Sequence, residues 1–274
     1  MKIRKYLHFI KIEHTIFDLP FAYAGMLLYG NLNLRIFLLL TVAATSARVA
    51  GMVINRIVDL PLDKLNPRTQ RRELVTGEIS IKGAWMIFLL SSILFIFSSY
   101  LLNLMALIFA PVLIFLFYLY PFTKRIKIIS HLFLGFSIGL IVVGGYIGSS
   151  GIFPLSIPVW LFMASVSFWI AAFDIIYQNQ DRDFDVDHGI KSIPVLYPDR
   201  VKNYVFIFYF ISLFFLIVFY SFINIFYNVF AILIGFLYFY RIKYINIKDV
   251  NYLFMFDIPI PFIVLFSLII KLLW

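Results

Sequence analysis

The chain has 274 residues, 63% of them hydrophobic and 20% aromatic, with a mean hydropathy of +0.97. A soluble globular domain, with about 45–50% apolar residues, is excluded. The net charge of +9 calls for no nucleic acid, because the basic residues sit in short segments between apolar runs, where they meet anionic headgroups or an anionic substrate. The absence of cysteine excludes disulfides and thiol chemistry.

A hydrocarbon core about 30 Å thick takes about 20 apolar residues per helix, which predicts an all-α integral membrane bundle of nine transmembrane helices. In chain order they fall near residues 15 to 30, 35 to 55, 81 to 102, 104 to 121, 129 to 149, 156 to 178, 203 to 222, 225 to 241 and 252 to 272. Strands of a membrane barrel would alternate apolar and polar residues, and these runs are apolar throughout. The basic stretch from Met1 to Lys11 leads into the first run with no small-residue cleavage site after it, so no cleavable signal is expected. No polar linker marks a boundary, and residues 1–274 are expected to form a single transmembrane domain. Of the 23 Lys and Arg, all but Arg35, Arg48 and Lys271 precede the first run or follow the second, fourth, sixth and eighth. Positive residues in short loops stay in the cytoplasm, so the amino terminus and these loops are predicted to be cytoplasmic.

Two acidic clusters close the second and sixth runs. The first reads Asn55-Arg56-x-x-Asp59-x-x-x-Asp63 and the second Asp174-x-x-Tyr177-x-x-x-Asp181-x-x-x-Asp185. Of the 14 acidic residues, only Glu13, Asp18, Asp249 and Asp257 lie outside these two regions. Four-residue spacing on a helix drifts by only about 40° per step, so Asn55, Asp59 and Asp63 share one face. Pro61 interrupts the backbone hydrogen bonding, so Asp63 falls either on that face or on a turn just past the helix end. The two clusters, four spans apart, hint at an internal duplication that puts both on one side of the membrane.

Carboxylates grouped beside hydrocarbon need cations, and hard oxygen ligands suit Mg²⁺, which shares its sphere with water and substrate phosphates. Two facing clusters can clamp a diphosphate through metal. Arg56, Lys64, Arg68, Arg71, Arg72, Lys124, Arg125 and Lys191 are candidates to bind its oxygens, Arg through bidentate hydrogen bonds and Lys as a point charge. No glycine-rich nucleotide loop is present, so ATP is not the expected phosphate source. A diphosphate site embedded in lipid implies a substrate with an apolar tail, and prenyl diphosphates are such molecules. Their allylic cations need a dry pocket with aromatic faces, for which the chain has 33 Phe, 17 Tyr and 4 Trp.

On these motifs the chain resembles the UbiA superfamily of membrane prenyltransferases over nearly its whole length. The likeness extends to Asn66-Pro-Arg68-Thr, Arg71-Arg72-Glu73-Leu, Tyr120-x-x-x-Lys124 and Gly189-x-Lys191-Ser192, and the segment from Ile12 to Ala22 is similar to the 4-hydroxybenzoate polyprenyltransferase branch. Many relatives carry Asp where Arg56 stands; the Arg form is familiar in this branch and argues against close kinship with ether-lipid and haem prenyltransferases. The resemblance implies a nine-helix bundle in which Asn55, Asp59, Asp63, Asp181 and Asp185 hold two Mg²⁺ ions on a polyprenyl diphosphate. It implies Arg68, Arg72, Lys124 and Lys191 as direct phosphate ligands, with Tyr177 beside them and Tyr120 among the catalytic residues. The reaction implied is electrophilic aromatic substitution on an acceptor such as 4-hydroxybenzoate, in quinone biosynthesis. Arg48, a charge inside a span, would pair with the acceptor carboxylate, and Asp174 would polarise or deprotonate the acceptor hydroxyl. A naphthoate-type menaquinone precursor and a glycerol ether lipid are the alternative acceptors.

Other polar residues have plainer explanations. His14, beside Glu13, is read as an interfacial or helix-start residue and not as a catalyst. Asp257, flanked by Pro259 and Pro261, is read as satisfying backbone freed at a kink, and Gly135, Gly139, Gly144, Gly145 and Gly148 as close helix packing. The rival class is a secondary transporter of an organic anion, but such proteins place ionisable residues near the midplane on broken helices, whereas these clusters sit at helix ends.

Overall fold

A helix of 30 residues, α3 (Leu34–Asp63), sets the frame of the molecule. At 1.5 Å per residue it runs about 45 Å, well beyond a hydrocarbon core of about 30 Å. That length leaves room beyond the apolar layer for its last turns, which carry the first acidic cluster. The Asn33 side chain caps its start, accepting from the amides of Arg35 at 2.9 Å and Ile36 at 3.3 Å. The helix continues through Pro61 to Asp63, whose carbonyl accepts from the Thr69 hydroxyl at 3.0 Å. Asp63 therefore lies on the helix with Asn55 and Asp59, not on a following turn.

This computed structural model describes residues 2–123, 126, 129–245 and 256–273, without the side chains of residues 2, 3, 13 and 14. The expectations attached to Lys124, Arg125, Glu13 and His14 fall outside that description. No described residue is in a strand. The chain runs α1 (Lys2–Phe9), α2 (Ile12–Leu28), α3, α4 (Ile81–Leu102), α5 (Leu104–Thr123), α6 (Ile129–Ser150) and α7 (Ile157–Gln178). It continues through short helices α8 (Arg182–Asp187) and α9 (Ile193–Leu196) to α10 (Val201–Ile223), α11 (Asn228–Lys243) and α12 (Pro259–Leu273).

Among the described residues, seven helical spans are long and apolar enough to cross a membrane, those built on α3 to α7, α10 and α11. Nine were expected; where the first and last were placed, the described helices are shorter, Thr15–Leu28 and Pro259–Leu273. Large side chains such as Leu90, Ile93 and Phe97 of α4 are exposed, as suits a helix whose backbone is satisfied internally and whose surface faces lipid.

Helices α2, α6 and α7 make the centre. A Cβ on Gly25 would lie 2.1 Å from the Val142 carbonyl oxygen, and one on Gly145 would lie 2.0 Å from that of Ala22. Only glycine lets α2 and α6 approach so closely. Beside this seam, the Trp169 ring packs against Phe17 at 5.1 Å and Phe21 at 5.5 Å. Gly144 departs from the packing role assigned to these glycines, because nothing lies within 4 Å of where its Cβ would be.

Asp257 also departs from expectation. Its carboxylate accepts from Arg241 Nε at 3.1 Å and from Trp169 Nε1 at 3.2 Å, and Arg241, which counts with the loop cations in the sequence, is 1% exposed. Asp257 thus ties the carboxyl-terminal helix to α7 and α11 instead of serving the backbone beside the prolines.

Candidate active site

One edge of α3 lines two adjoining cavities. Leu40, Ala43, Ala44, Ala47, Arg48, Gly51, Met52, Asn55 and Arg56 recur at alternating spacings of three and one along a cavity of about 280 Å³ that runs into the bundle. Asn55, Asp59, Leu62 and Asp63 continue the stripe into a smaller polar chamber of about 160 Å³. The spacing keeps one side of a helix turned to the same neighbours, and the alanines and Gly51 leave room beside it. The remaining wall of the deep cavity is largely apolar, with Phe17, Phe95, Phe109, Phe117, Ile138 and Phe173 among its residues.

The chamber lies between the two acidic clusters. Asn55, Asp59, Asp63, Asp181 and Asp185 all line it, together with Asn66, Arg68, Arg72, Asp174 and Gln178. Five residues, Asn55, Arg72, Tyr120, Asp174 and Tyr177, line both cavities and so form the neck between them. The second cluster is not one helix: α7 ends at Gln178, a 3-10 turn holds Asn179–Asp181, and α8 carries Asp185. That change of geometry lets Asp181 turn towards residues 64–80.

Those residues are stitched to both clusters. Arg68 grips Asp181 with Nε to Oδ1 at 2.6 Å and with Nη2 to Oδ2, and Asn66 Nδ2 donates to Oδ1 at 3.2 Å. Arg68 also donates to the Tyr177 hydroxyl at 3.1 Å and lies over that ring at 5.2 Å. Burial works against its charge, but the bonds to Asp181 and the nearby Tyr177 and Asp181 charges outweigh it, raising its pKa above the ordinary arginine value. Arg72 Nη1 donates to both oxygens of Asp63, at 2.7 and 2.6 Å.

The other candidate cations are elsewhere. Arg56 is 3% exposed, over the Phe9 ring at 5.6 Å and 3.9 Å from Glu73 Oε2, which His8 also engages through Oε1. It therefore reaches the edge of the deep cavity but not the chamber. Lys64, Arg71 and Lys191 are exposed and line neither cavity. Arg48 does line the deep cavity, yet its Nε lies 3.1 Å from Asp18 Oδ2; its partner here is a protein carboxylate.

Whether the chamber suits a divalent cation follows from its donors. Among the described residues, two arginines stand against five carboxylates in its wall, Asp59, Asp63, Asp174, Asp181 and Asp185. That leaves it electronegative, with hard carboxylate and amide oxygens of the kind Mg²⁺ takes. No described group of three or more His, Asp or Glu stands ready-assembled to hold a metal, and Arg72 and Arg68 hold Asp63 and Asp181. The residues fit Mg²⁺ provided these arginines exchange carboxylate for phosphate.

One residue of the site was missed by sequence reasoning. His131 of α6 is fully buried, and its Nδ1 lies 2.7 Å from Asp174 Oδ2. A lone histidine at the start of an apolar run gives no signal, and only the fold brings it to Asp174.

The UbiA prenyltransferase family model matches residues 19–256. A protein named 4-hydroxybenzoate octaprenyltransferase from Francisella tularensis subsp. novicida (strain U112) is 35% identical over 193 residues, 69% of this chain and 66% of that protein. One of the same name from Shewanella sp. (strain W3-18-1) is 34% identical over 179 residues, 65% of this chain and 62% of that protein. The chain thus spans about two thirds of the length of the curated relatives it matches. Among solved structures, the apo UbiA homolog from Aeropyrum pernix K1 is 34% identical with a TM-score of 0.85, covering 94% of this chain and 98% of that one. A UbiA homolog from Archaeoglobus fulgidus bound to GPP and Mg²⁺ shares the fold at 20% identity, with a TM-score of 0.78 over 98% of this chain and 100% of that one. The family model spans most of the chain, and this chain belongs to the UbiA prenyltransferase family.

Proposed function

We propose that this protein transfers a polyprenyl group from its diphosphate to an aromatic acid resembling 4-hydroxybenzoate, with Mg²⁺ and release of diphosphate. The observation that carries this is the pair of cavities joined at a neck, one polar and ringed by carboxylates and arginines, the other apolar and deep. A diphosphate head and a prenyl tail have that polarity in that order. The names of the bacterial relatives and the GPP and Mg²⁺ bound to the archaeal homolog support the same donor class, acceptor class and cation. The chain acts as one transmembrane domain with the amino terminus and both clusters facing the cytoplasm, as the distribution of Lys and Arg supports.

Asn55, Asp59, Asp63, Asp181 and Asp185 would hold Mg²⁺, two ions in all. When bound, the metal neutralises charge that gathers on the departing diphosphate. Arg68 and Arg72, released from Asp181 and Asp63, bind phosphate oxygens and keep the head in the chamber. Tyr120 and Tyr177 at the neck flank the allylic carbon, where a ring face stabilises positive charge and excludes water. The bond from that carbon to the diphosphate oxygen breaks, and its electron pair leaves with diphosphate. An acceptor ring carbon then bonds to the cation, and Asp174, which accepts the acceptor's hydroxyl hydrogen bond, receives the displaced ring proton.

The test is purified protein in lipid with geranylgeranyl diphosphate, 4-hydroxybenzoate and Mg²⁺, beside an Asp59→Asn, Asp185→Asn double variant. Wild type should yield prenylated acid and diphosphate in equal amounts, and the variant neither. Diphosphate without prenylated acid would redirect the acceptor to a naphthoate-type or lipid molecule. Neither product from folded wild type would overturn prenyl transfer.

A further inference from the structure

Among the described residues, Asp174 at the neck has both of its hydrogen bonds on one oxygen: His131 Nδ1 lies 2.7 Å and Gln178 Nε2 lies 2.9 Å from Oδ2. The second ring nitrogen of His131, Nε2, accepts from the backbone N–H of Ile193 at 3.2 Å. An amide can only donate, so Nε2 carries no proton, and in the neutral ring the proton sits on Nδ1, facing Asp174. An imidazolium would set a second N–H against the amide and leave a buried donor without an acceptor.

The amide of Ile193 is delivered by a specific turn. Helix α8 ends at Asp187, and Gly189 takes a left-handed conformation with φ +68°, which an L side chain rarely adopts. The chain then folds back, with Ile190 N–H donating to the Asp185 carbonyl at 3.0 Å. Ile193 is fully buried, so its amide needs a partner inside the protein, and His131 supplies it.

We propose that His131 is a positioning residue that aims Asp174 at the acceptor. Because Oδ2 is taken by His131 and Gln178, Oδ1 is the oxygen left to face the neck. Through Ile193, the same histidine links that aim to the segment carrying Asp185. This rests on the proposed prenyl transfer: the C–H bond of the substituted ring carbon breaks, its electron pair restores the aromatic ring, and the proton passes to Oδ1. His131 neither gains nor loses a proton.

Two isosteric substitutions separate aiming from packing. In His131→Asn the amide N–H takes the place of Nδ1 and keeps the bond to Asp174. In His131→Gln the carbonyl takes the place of Nε2 and keeps only the bond from Ile193. In lipid, His131→Asn should stay within about threefold of wild-type kcat, and His131→Gln should lose about tenfold to a hundredfold with donor KM unchanged. Added to Asp174→Asn, His131→Gln should cost nothing further, since a positioning residue acts only through its partner. Equal kcat in the two variants, losses that only follow melting temperature, or a loss that multiplies onto Asp174→Asn would overturn the proposal. Independently of variant folding, nitrogen shifts of ¹⁵N-histidine-labelled wild type should report a neutral Nδ1–H ring for His131; an Nε2–H tautomer or an imidazolium would also overturn it. A wild type without prenyl transfer would bring down the proposed function itself, whereas an active wild type with indistinguishable variants brings down only the role of His131.

Discussion

Arg72 binds both carboxylate oxygens of Asp63 through a single guanidinium nitrogen, at 2.7 and 2.6 Å, so a cation at Asp63 competes with Arg72 for the same two oxygens. The same holds for Asp181, which Arg68 grips bidentately. Metal and diphosphate should therefore bind cooperatively, each freeing the partner the other needs. Titration calorimetry with a non-hydrolysable prenyl diphosphonate should raise Mg²⁺ affinity by about tenfold or more, and Mg²⁺ should raise diphosphonate affinity by the same factor. Arg72→Gln should bind Mg²⁺ alone more tightly than wild type while losing affinity for the diphosphonate. Equal Mg²⁺ affinity with and without the diphosphonate would contradict the exchange.

Gly144 lines the deep cavity with open space where its Cβ would be. It stands on α6 with His131, about 20 Å further along the helix by its rise. Gly144→Leu should therefore block long tails and spare short ones. The ratio of kcat/KM for geranyl over geranylgeranyl diphosphate should increase by about tenfold or more, given about 1 to 3 kcal/mol for a misfitted hydrophobic group. An unchanged ratio would mean that tails do not reach Gly144.

Asp18 is 3% exposed, with Arg48 beside it in the same cavity wall. Arg48→Ala should lower stability by about 1 to 3 kcal/mol, because it leaves a buried carboxylate without its cation. Asp18→Asn in the same chain should recover part of that loss, as read by thermal unfolding in detergent. Acceptor KM measured in the double variant then isolates any contact between Arg48 and the acceptor carboxylate.

Arg241 and Asp257 are each 1% exposed and bonded to one another. Arg241→Met alone should destabilise by about 3 to 5 kcal/mol, and adding Asp257→Leu should restore most of it, since an apolar pair can replace a buried ion pair but half of one cannot. Denaturant or thermal unfolding of the two variants measures this. A double variant as unstable as the single would show that the carboxylate has a further role.

The apolar runs and both acidic clusters were legible in the sequence because bilayer thickness and four-residue spacing leave direct marks on it. Pro61 left open where α3 ends; the helix runs through it to Asp63, whose carbonyl is covered by the Thr69 hydroxyl, a contact from outside the helix. Arg56 and Arg68 both stand beside the first acidic cluster in the sequence, yet one lies buried between Phe9 and Glu73 and the other grips Asp181. Which of them reaches the chamber depends on contacts to α1 and to Tyr177 and Asp181 around the end of α7, far away in sequence. His131 and Gly144 were illegible for the same reason, since each owes its role to what another helix places, or fails to place, opposite it.

The edge of α3 has a consequence for how such proteins diverge. Its first half, with Ala43, Ala44, Ala47 and Gly51, borders the deep apolar cavity, and its last half, with Asn55, Asp59 and Asp63, borders the polar chamber. Under the proposed function, point changes in the first half would retune tail preference without touching the carboxylates, so the two properties can be inherited separately. A single inserted residue between the halves would instead swing one by about 100° relative to the other, so lineages are free to vary the letters along this helix but not their number.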